Sequence, residues 1–127
     1  MPTGRRYTES PEVILDAQPP CAADIKAHLG MTTDELAAAT GRSLRSAARW
    51  LAAEETTPMH GPAARSLRRL AHLDYLLEDV LGSAGARDWL RAPNPGFRGE
   101  APIDLMTAGR SDEVIAALEL LADGSPL

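Results

Sequence analysis

The sequence predicts an all-α fold, and three observations carry that prediction. Ala and Leu supply most of the apolar residues, while β-branched residues are few. The apolar positions recur every three or four residues, and no stretch alternates well enough for a sheet. Capping and breaking residues, among them Thr32, Gly41, Ser43, Pro62 and Pro102, punctuate the periodic stretches. The expected architecture is an N-terminal helix-turn-helix domain, joined by a long helix to a small C-terminal helical domain.

Residues 1–20 contain four prolines and a brief apolar run at Val13-Ile14-Leu15, and they read as a flexible N-terminal arm. A first helix is expected over Ala22–Leu29, stopped by Gly30, with Ile25 and Leu29 on one face. The second helix opens on a capping box, Thr32 with Glu35, and turns Leu36, Ala37 and Thr40 inward. Gly41 permits the positive φ of a tight turn. Ser43 caps a third helix, with Leu44, Ala47, Ala48 and Leu51 on its inner side and Trp50 at the edge. Arg45, Ser46 and Arg49 fall opposite.

A loop follows over 54–61, and Pro62 opens a long helix that ends at Gly82. Its stripe of Leu67, Leu70, Leu73, Leu77 and Val80 reads as core packing, with a dimer seam as the alternative. Three short helices are expected beyond it, near 84–91, 102–108 and 111–122. Ser111 is the expected cap of the last, followed by Asp112 and Glu113 near its positive end. Val114, Ile115, Leu118 and Leu121 make its buried stripe.

With 127 residues and 44% hydrophobic content, the chain can form one domain or two small lobes on one core. The single cysteine, Cys21, excludes an internal disulfide and a cysteine zinc cluster. No signal peptide or apolar run of membrane-spanning length is legible, so a cytoplasmic protein is expected. The net charge of −5 is unevenly spread: residues 1–41 carry −3, residues 42–69 carry +4 and residues 70–127 carry −6. The basic cluster sits where a recognition helix would lie, and the acidic end suits a basic partner.

The segment Gly41-Arg42-Ser43-Leu44-Arg45-Ser46-Ala47-Ala48-Arg49-Trp50-Leu51 resembles the turn and recognition helix of phage-repressor-like regulators. Ala37 stands four residues before the turn glycine. Arg42 occupies a position that is usually apolar, and Ala47 one that is usually branched. In such a motif the N-terminal residues of the second helix enter the major groove. Arg45 and Arg49 project together and can pair bidentately with guanine, a contact that contributes about 1–3 kcal/mol of discrimination. Arg42, Ser43 and Ser46 complete the expected DNA-binding set, and Arg65, Arg68 and Arg69 can add backbone contacts.

The last third carries Trp89-Leu90, then Pro93-Asn94-Pro95-Gly96-Phe97-Arg98-Gly99, then Pro102-Ile103-Asp104-Leu105, closing on Gly124. Short apolar helices between so many turn-formers bury little surface alone and must pack on something else. Trp89, Leu90, Phe97, Pro102, Ile103 and Leu105 read as core, with Phe97, Met106 and Leu127 as candidates for exposure. This pattern resembles the toxin-binding domain of antitoxins from Xre/RES-type toxin–antitoxin pairs (Xre/MbcA/ParS-like). The resemblance covers roughly residues 22–124, although Phe97 stands where the pattern is usually aliphatic.

The resemblance implies an antitoxin that binds a RES-type toxin, a protein that degrades NAD. It also implies that the extreme C-terminal segment, Asp123-Gly124-Ser125-Pro126-Leu127, blocks the toxin's active site. Phe97, Met106 and Arg110 join these five as expected toxin-binding residues. Autoregulation through operator DNA is implied as well; a homodimer within a larger toxin–antitoxin complex is a separate expectation. The four expected segments are the arm 1–20, the helix-turn-helix 21–61, the connecting or dimerising helix 62–82, and the toxin-binding domain 83–127.

No P-loop, zinc spacing or nucleophile elbow is present, and His28, His60 and His72 lie on separate segments. No catalytic, cofactor or metal site is therefore expected, and the chain reads as a non-enzyme. Two other readings stand beside the antitoxin. One is an ordinary helix-turn-helix regulator with a C-terminal dimerisation domain; the other is a protein-binding module with a vestigial DNA reader.

Overall fold

The computed structural model describes residues 21–52 and 61–124. The expectations placed on the N-terminal arm, the loop after residue 52, and Ser125, Pro126 and Leu127 lie outside these residues. Six helices follow in order: α1 (Ala22–Leu29), α2 (Thr33–Thr40), α3 (Leu44–Ala52), α4 (Gly61–Arg91), α5 (Pro102–Thr107) and α6 (Ser111–Ala122). A 3-10 turn at Pro95–Phe97 links α4 to α5. The protein is all-α.

α4 is the mast of the fold. Leu67, Leu70, Leu73, Leu76 and Leu77 are buried, with α1 packed on one side and α6 on another. Leu81 and Val80 are only half-buried, because the helix breaks next to them. Gly82, at φ 77° and ψ 165°, interrupts the helical backbone, and the chain then resumes helical geometry to Arg91. A side chain at that position would meet no neighbour within 4 Å, so the backbone angle is what selects glycine. The leucine stripe is thus consumed within one chain, and these residues are not available as a dimer seam.

One apolar cluster runs through the molecule. Ile25 and Leu29 of α1, Leu36 of α2 and Ala47 of α3 meet the α4 leucines, as do Ile103, Leu105 and Met106 of α5 with Val114 and Leu118 of α6. The short C-terminal helices, too small to hold a core alone, are stabilised by sharing this one.

Two local expectations are corrected. Leu44, expected inside, is 51% exposed. Burial on α3 centres on Ala47 and tilts towards Ser46 and Trp50, which leaves the Leu44–Ala48 row outside. Ser111 does not cap α6. The chain leaves α5 through backbone bonds from Gly109 N to Met106 O and Arg110 N to Leu105 O, so Arg110 takes the cap position. Ser111 is already the first helical residue and is buried, its hydroxyl without a hydrogen-bond partner among the described residues.

This packing predicts unequal costs for two leucines. Leu77→Ala is expected to lower the unfolding free energy by about 2–5 kcal/mol. Leu44→Ala is expected to change it by less than about 0.5 kcal/mol. Urea denaturation of both variants checks this, and similar losses at the two positions would contradict the burial pattern.

Candidate functional site

The α2–turn–α3 segment is fixed by short-range bonds. The Thr32 hydroxyl accepts from Glu35 N at 3.0 Å while Glu35 Oε1 accepts from Thr32 N at 2.9 Å, the reciprocal capping box. Thr40 is buried, its hydroxyl donating to Leu36 O and Ala37 O. Gly41 closes the helix in the left-handed region at φ 71°, with Arg42 N donating to Ala37 O at 3.0 Å. Ser43 then starts α3, its Oγ accepting from Ser46 N at 3.1 Å. A helix, a three-residue turn and a second helix are therefore held in a defined relation.

The side chains carried by that frame match the expected DNA-binding set in exposure. Arg42, Ser43, Arg45 and Arg49 are exposed and Ser46 is half-buried. α3 contains no acidic residue. Among the described residues, the guanidinium groups of Arg42, Arg45 and Arg49 take part in no ion pair or hydrogen bond. Arg87, Arg91 and Arg110 are all engaged.

The distal part of α4 grips the N-terminal helices through charge, a feature that sequence reading missed. Arg91 donates from Nη1 to Glu35 Oε2 at 2.9 Å and from Nη2 to Glu35 Oε1 at 2.6 Å, and Nη2 also reaches Gly30 O at 2.7 Å. One turn earlier, Arg87 Nη2 donates to Ala27 O at 2.7 Å. Two cations thus satisfy carbonyls at the C-terminal end of α1, where the helix dipole favours them. The hydrogen bonds from Arg91 hold the Glu35 carboxyl at a pKa of about 2, below the usual 4.5. The i, i+4 spacing of Arg87 and Arg91 was a legible signal, but their partners stand 56–61 residues away. Beside this clamp, His28 Nδ1 lies 3.0 Å from Asp74 Oδ2, which is buried at 4% exposure. These two groups with Glu78, Ser83, Ala86 and Arg87 line a cleft of about 150 Å³. No group of three or more His, Cys, Asp or Glu side chains placed to hold a metal is found among the described residues.

The C-terminal region distributes its expected contact residues unevenly. Phe97 is half-buried, its ring edge-on to Trp89 with centroids 6.2 Å apart. Met106 was expected at the surface and is instead fully buried at 0% exposure. α5 is so short that Ile103, Leu105 and Met106 must all turn to the core to anchor it. Arg110 stays at the surface and chelates Glu113 through Nε and Nη2 at 2.8 and 3.0 Å. Asp123 and Gly124 are exposed at the end of α6. Leu120, which sequence reading passed over, is 49% exposed on α6 between Glu119 and the chain end. It falls outside the Val114–Leu118 row, and that offset was the available signal.

Residues 76–124 match the family described as the antitoxin Xre/MbcA/ParS C-terminal toxin-binding domain. The chain is 31% identical over 99 residues to the mycobacterial cidal antitoxin MbcA of Mycobacterium bovis and of Mycobacterium tuberculosis, an alignment covering 76% of this chain and 83% of MbcA. It is 37% identical over 59 residues to a probable mycobacterial cidal antitoxin of M. tuberculosis, covering 46% of this chain and 51% of that protein. The fold is similar to a chain of the crystal structure of the M. tuberculosis MbcT–MbcA toxin–antitoxin complex. That match has a TM-score of 0.58 and 28% identity and covers 84% of this chain and 95% of that one.

The clamp predicts an acid limb in the stability profile. Because the folded-state pKa of Glu35 is depressed, its contribution is complete above about pH 4.5 and is lost as pH falls through about 2. Arg91 is partly exposed, so solvent screening limits the pair to about 1 kcal/mol. Glu35→Gln is expected to remove that part of the acid dependence in urea titrations between pH 2 and 6. An unchanged slope would show that the pair adds nothing.

Proposed function

The chain belongs to the Xre/MbcA/ParS antitoxin family, and on that premise we propose that it binds and inhibits a cognate RES-type toxin that degrades NAD. One observation carries the reading: the toxin-binding-domain match spans 76–124 and ends where α6 delivers Asp123 and Gly124 to the surface. In this proposal residues 123–127 enter and mask the toxin's active site. The acidic Asp123 that leads this segment faces a basic pocket shaped for the phosphates of NAD. Phe97 and Arg110 rest on the rim of the toxin. Met106 contributes from below, by holding α5 in place.

The charge of the region supports this arrangement. α6 and the residue after it carry Asp112, Glu113, Glu119 and Asp123 with no Lys or Arg, and Leu120 adds an apolar contact among them. Asp112 and Glu113 are paired with Arg69 and Arg110, so Glu119 and Asp123 beside the exposed Leu120 are the part of this face that suits a basic protein surface. The proposed organisation keeps the arm 1–20, the helix-turn-helix 21–61, the connecting helix 62–82 and the toxin-binding domain 83–127. The proposed setting is the cytoplasm, with two copies of the chain in a larger toxin–antitoxin complex. Pairing of the copies would use a surface other than the Leu67–Leu77 row, which is buried.

A second activity, repression of its own operon, is favoured by the three arginines at the turn and on α3 that have no partner among the described residues. The other reading, an ordinary regulator whose C-terminal half only dimerises, shares this DNA contact and lacks the toxin.

Truncation separates the two surfaces. Deleting residues 123–127 is expected to leave binding to duplex DNA from the chain's own upstream region unchanged. It is expected to reduce rescue of growth when the neighbouring open reading frame is co-expressed. Arg45→Ala with Arg49→Ala is expected to do the reverse, lowering DNA affinity by at least tenfold. Full rescue by the truncated chain would remove the masking role from residues 123–127. Unchanged DNA binding by the double variant would remove Arg45 and Arg49 from any DNA contact.

A further inference from the structure

Leu44 is one of two large apolar side chains exposed among the described residues, and it lies within the basic surface. It occupies the first helical position of α3 directly after the turn. Arg45 follows it, and Ala48 and Arg49 stand one turn further along. Residues four apart on a helix form a row, so an apolar row, Leu44 and Ala48, runs beside a cationic row, Arg45 and Arg49. All four are exposed.

The occupant of such a surface must offer negative charge and small apolar groups at close spacing. Duplex DNA does this in its major groove, where guanine presents acceptors to arginine and thymine presents a 5-methyl group. α3 has nine residues, about 13 Å of helix, comparable with a groove about 12 Å wide. Ala48 is small enough to let the helix seat closely. An acidic protein surface could pair with the arginines, but the uninterrupted positive charge of α3 and its unpaired guanidiniums favour a polyanion.

We infer that Leu44 is a specificity-determining residue that reads a thymine 5-methyl group beside guanines contacted by Arg45 and Arg49. This rests on the proposed DNA binding and adds to it a base identity and a residue. Arginine contacts alone select guanine; the leucine makes the site demand a thymine next to it.

The test uses the full-length chain and duplexes of about 40 base pairs tiled across the region upstream of its own coding sequence, with a random duplex as competitor. Each thymine of the bound duplex is replaced in turn by deoxyuridine, which pairs identically and lacks the methyl group. At one or two positions the wild-type affinity is expected to fall about fourfold, the worth of one buried methyl. Leu44→Ala is expected to lose the same factor on the thymine duplex and nothing more on the deoxyuridine duplex, with an unchanged thermal midpoint. If a specific duplex binds but no single substitution weakens it, the methyl-reading role is overturned while DNA binding stands. If Leu44→Ala and wild type respond equally to deoxyuridine, the role is likewise overturned. If no tiled duplex outcompetes the random one, DNA recognition itself fails and this inference with it; an effect of Leu44→Ala only on toxin binding would move the surface to a protein partner.

Discussion

The rest of the structure depends on keeping one row of leucines out of water from two sides. Leu67, Leu70, Leu73 and Leu77 point from α4 into a space that neither the N-terminal helices nor the C-terminal ones could fill alone. Each buried leucine contributes about 1.5–3 kcal/mol relative to exposure. α1 covers the row on one side and α6 on the other. That arrangement lets short helices of six to twelve residues, too short to persist in isolation, hold fixed positions. It also consumes the apolar surface that would otherwise be free for another copy of the chain.

Charge adds directional contacts to the register that interdigitated packing already sets. Arg87 and Arg91 supply them by bonding carbonyls at the end of α1 and the carboxylate of Glu35. Glu35 serves two ends at once: it closes the capping box of α2 and receives the guanidinium from α4. The arginines lie beyond the break at Gly82, in the region matched to the toxin-binding domain, whereas their partners lie on α1, its cap and α2, the helices that precede the arginine row of α3. The two proposed surfaces are therefore built on one mechanically connected frame.

Much of the frame was legible in the sequence because its determinants are local. The bounds of α1, the capping box, the αL turn at Gly41 and the Ser43 cap follow from residues within four positions of one another. The leucine stripe follows from periodicity. Features that depend on distant partners left at most half a trace, such as the i, i+4 spacing of Arg87 and Arg91, with nothing to name the partner. The bonds from Arg91 to Glu35 and from His28 to Asp74 span 56 and 46 residues. Periodicity finds the apolar side of a helix without fixing its rotation against neighbours, which is why Leu44 turned outward on α3. In the very short α5, Met106 was pulled inward because every apolar side chain was needed as an anchor. On the candidate surfaces, residue types were legible and exposure was only partly so: the residues proposed to contact DNA are accessible, except the half-buried Ser46, whereas Met106 of the proposed toxin-binding set is buried and the exposed Leu120 went unremarked.

This antitoxin-family chain is proposed to silence an NAD-degrading partner. The most direct measurement is cellular NAD after induction of the neighbouring open reading frame, with and without this protein. The neighbour alone is expected to deplete NAD, and co-expression of the chain is expected to restore it. A neighbour that leaves NAD untouched, or depletion that persists when the chain is present, would contradict the proposal.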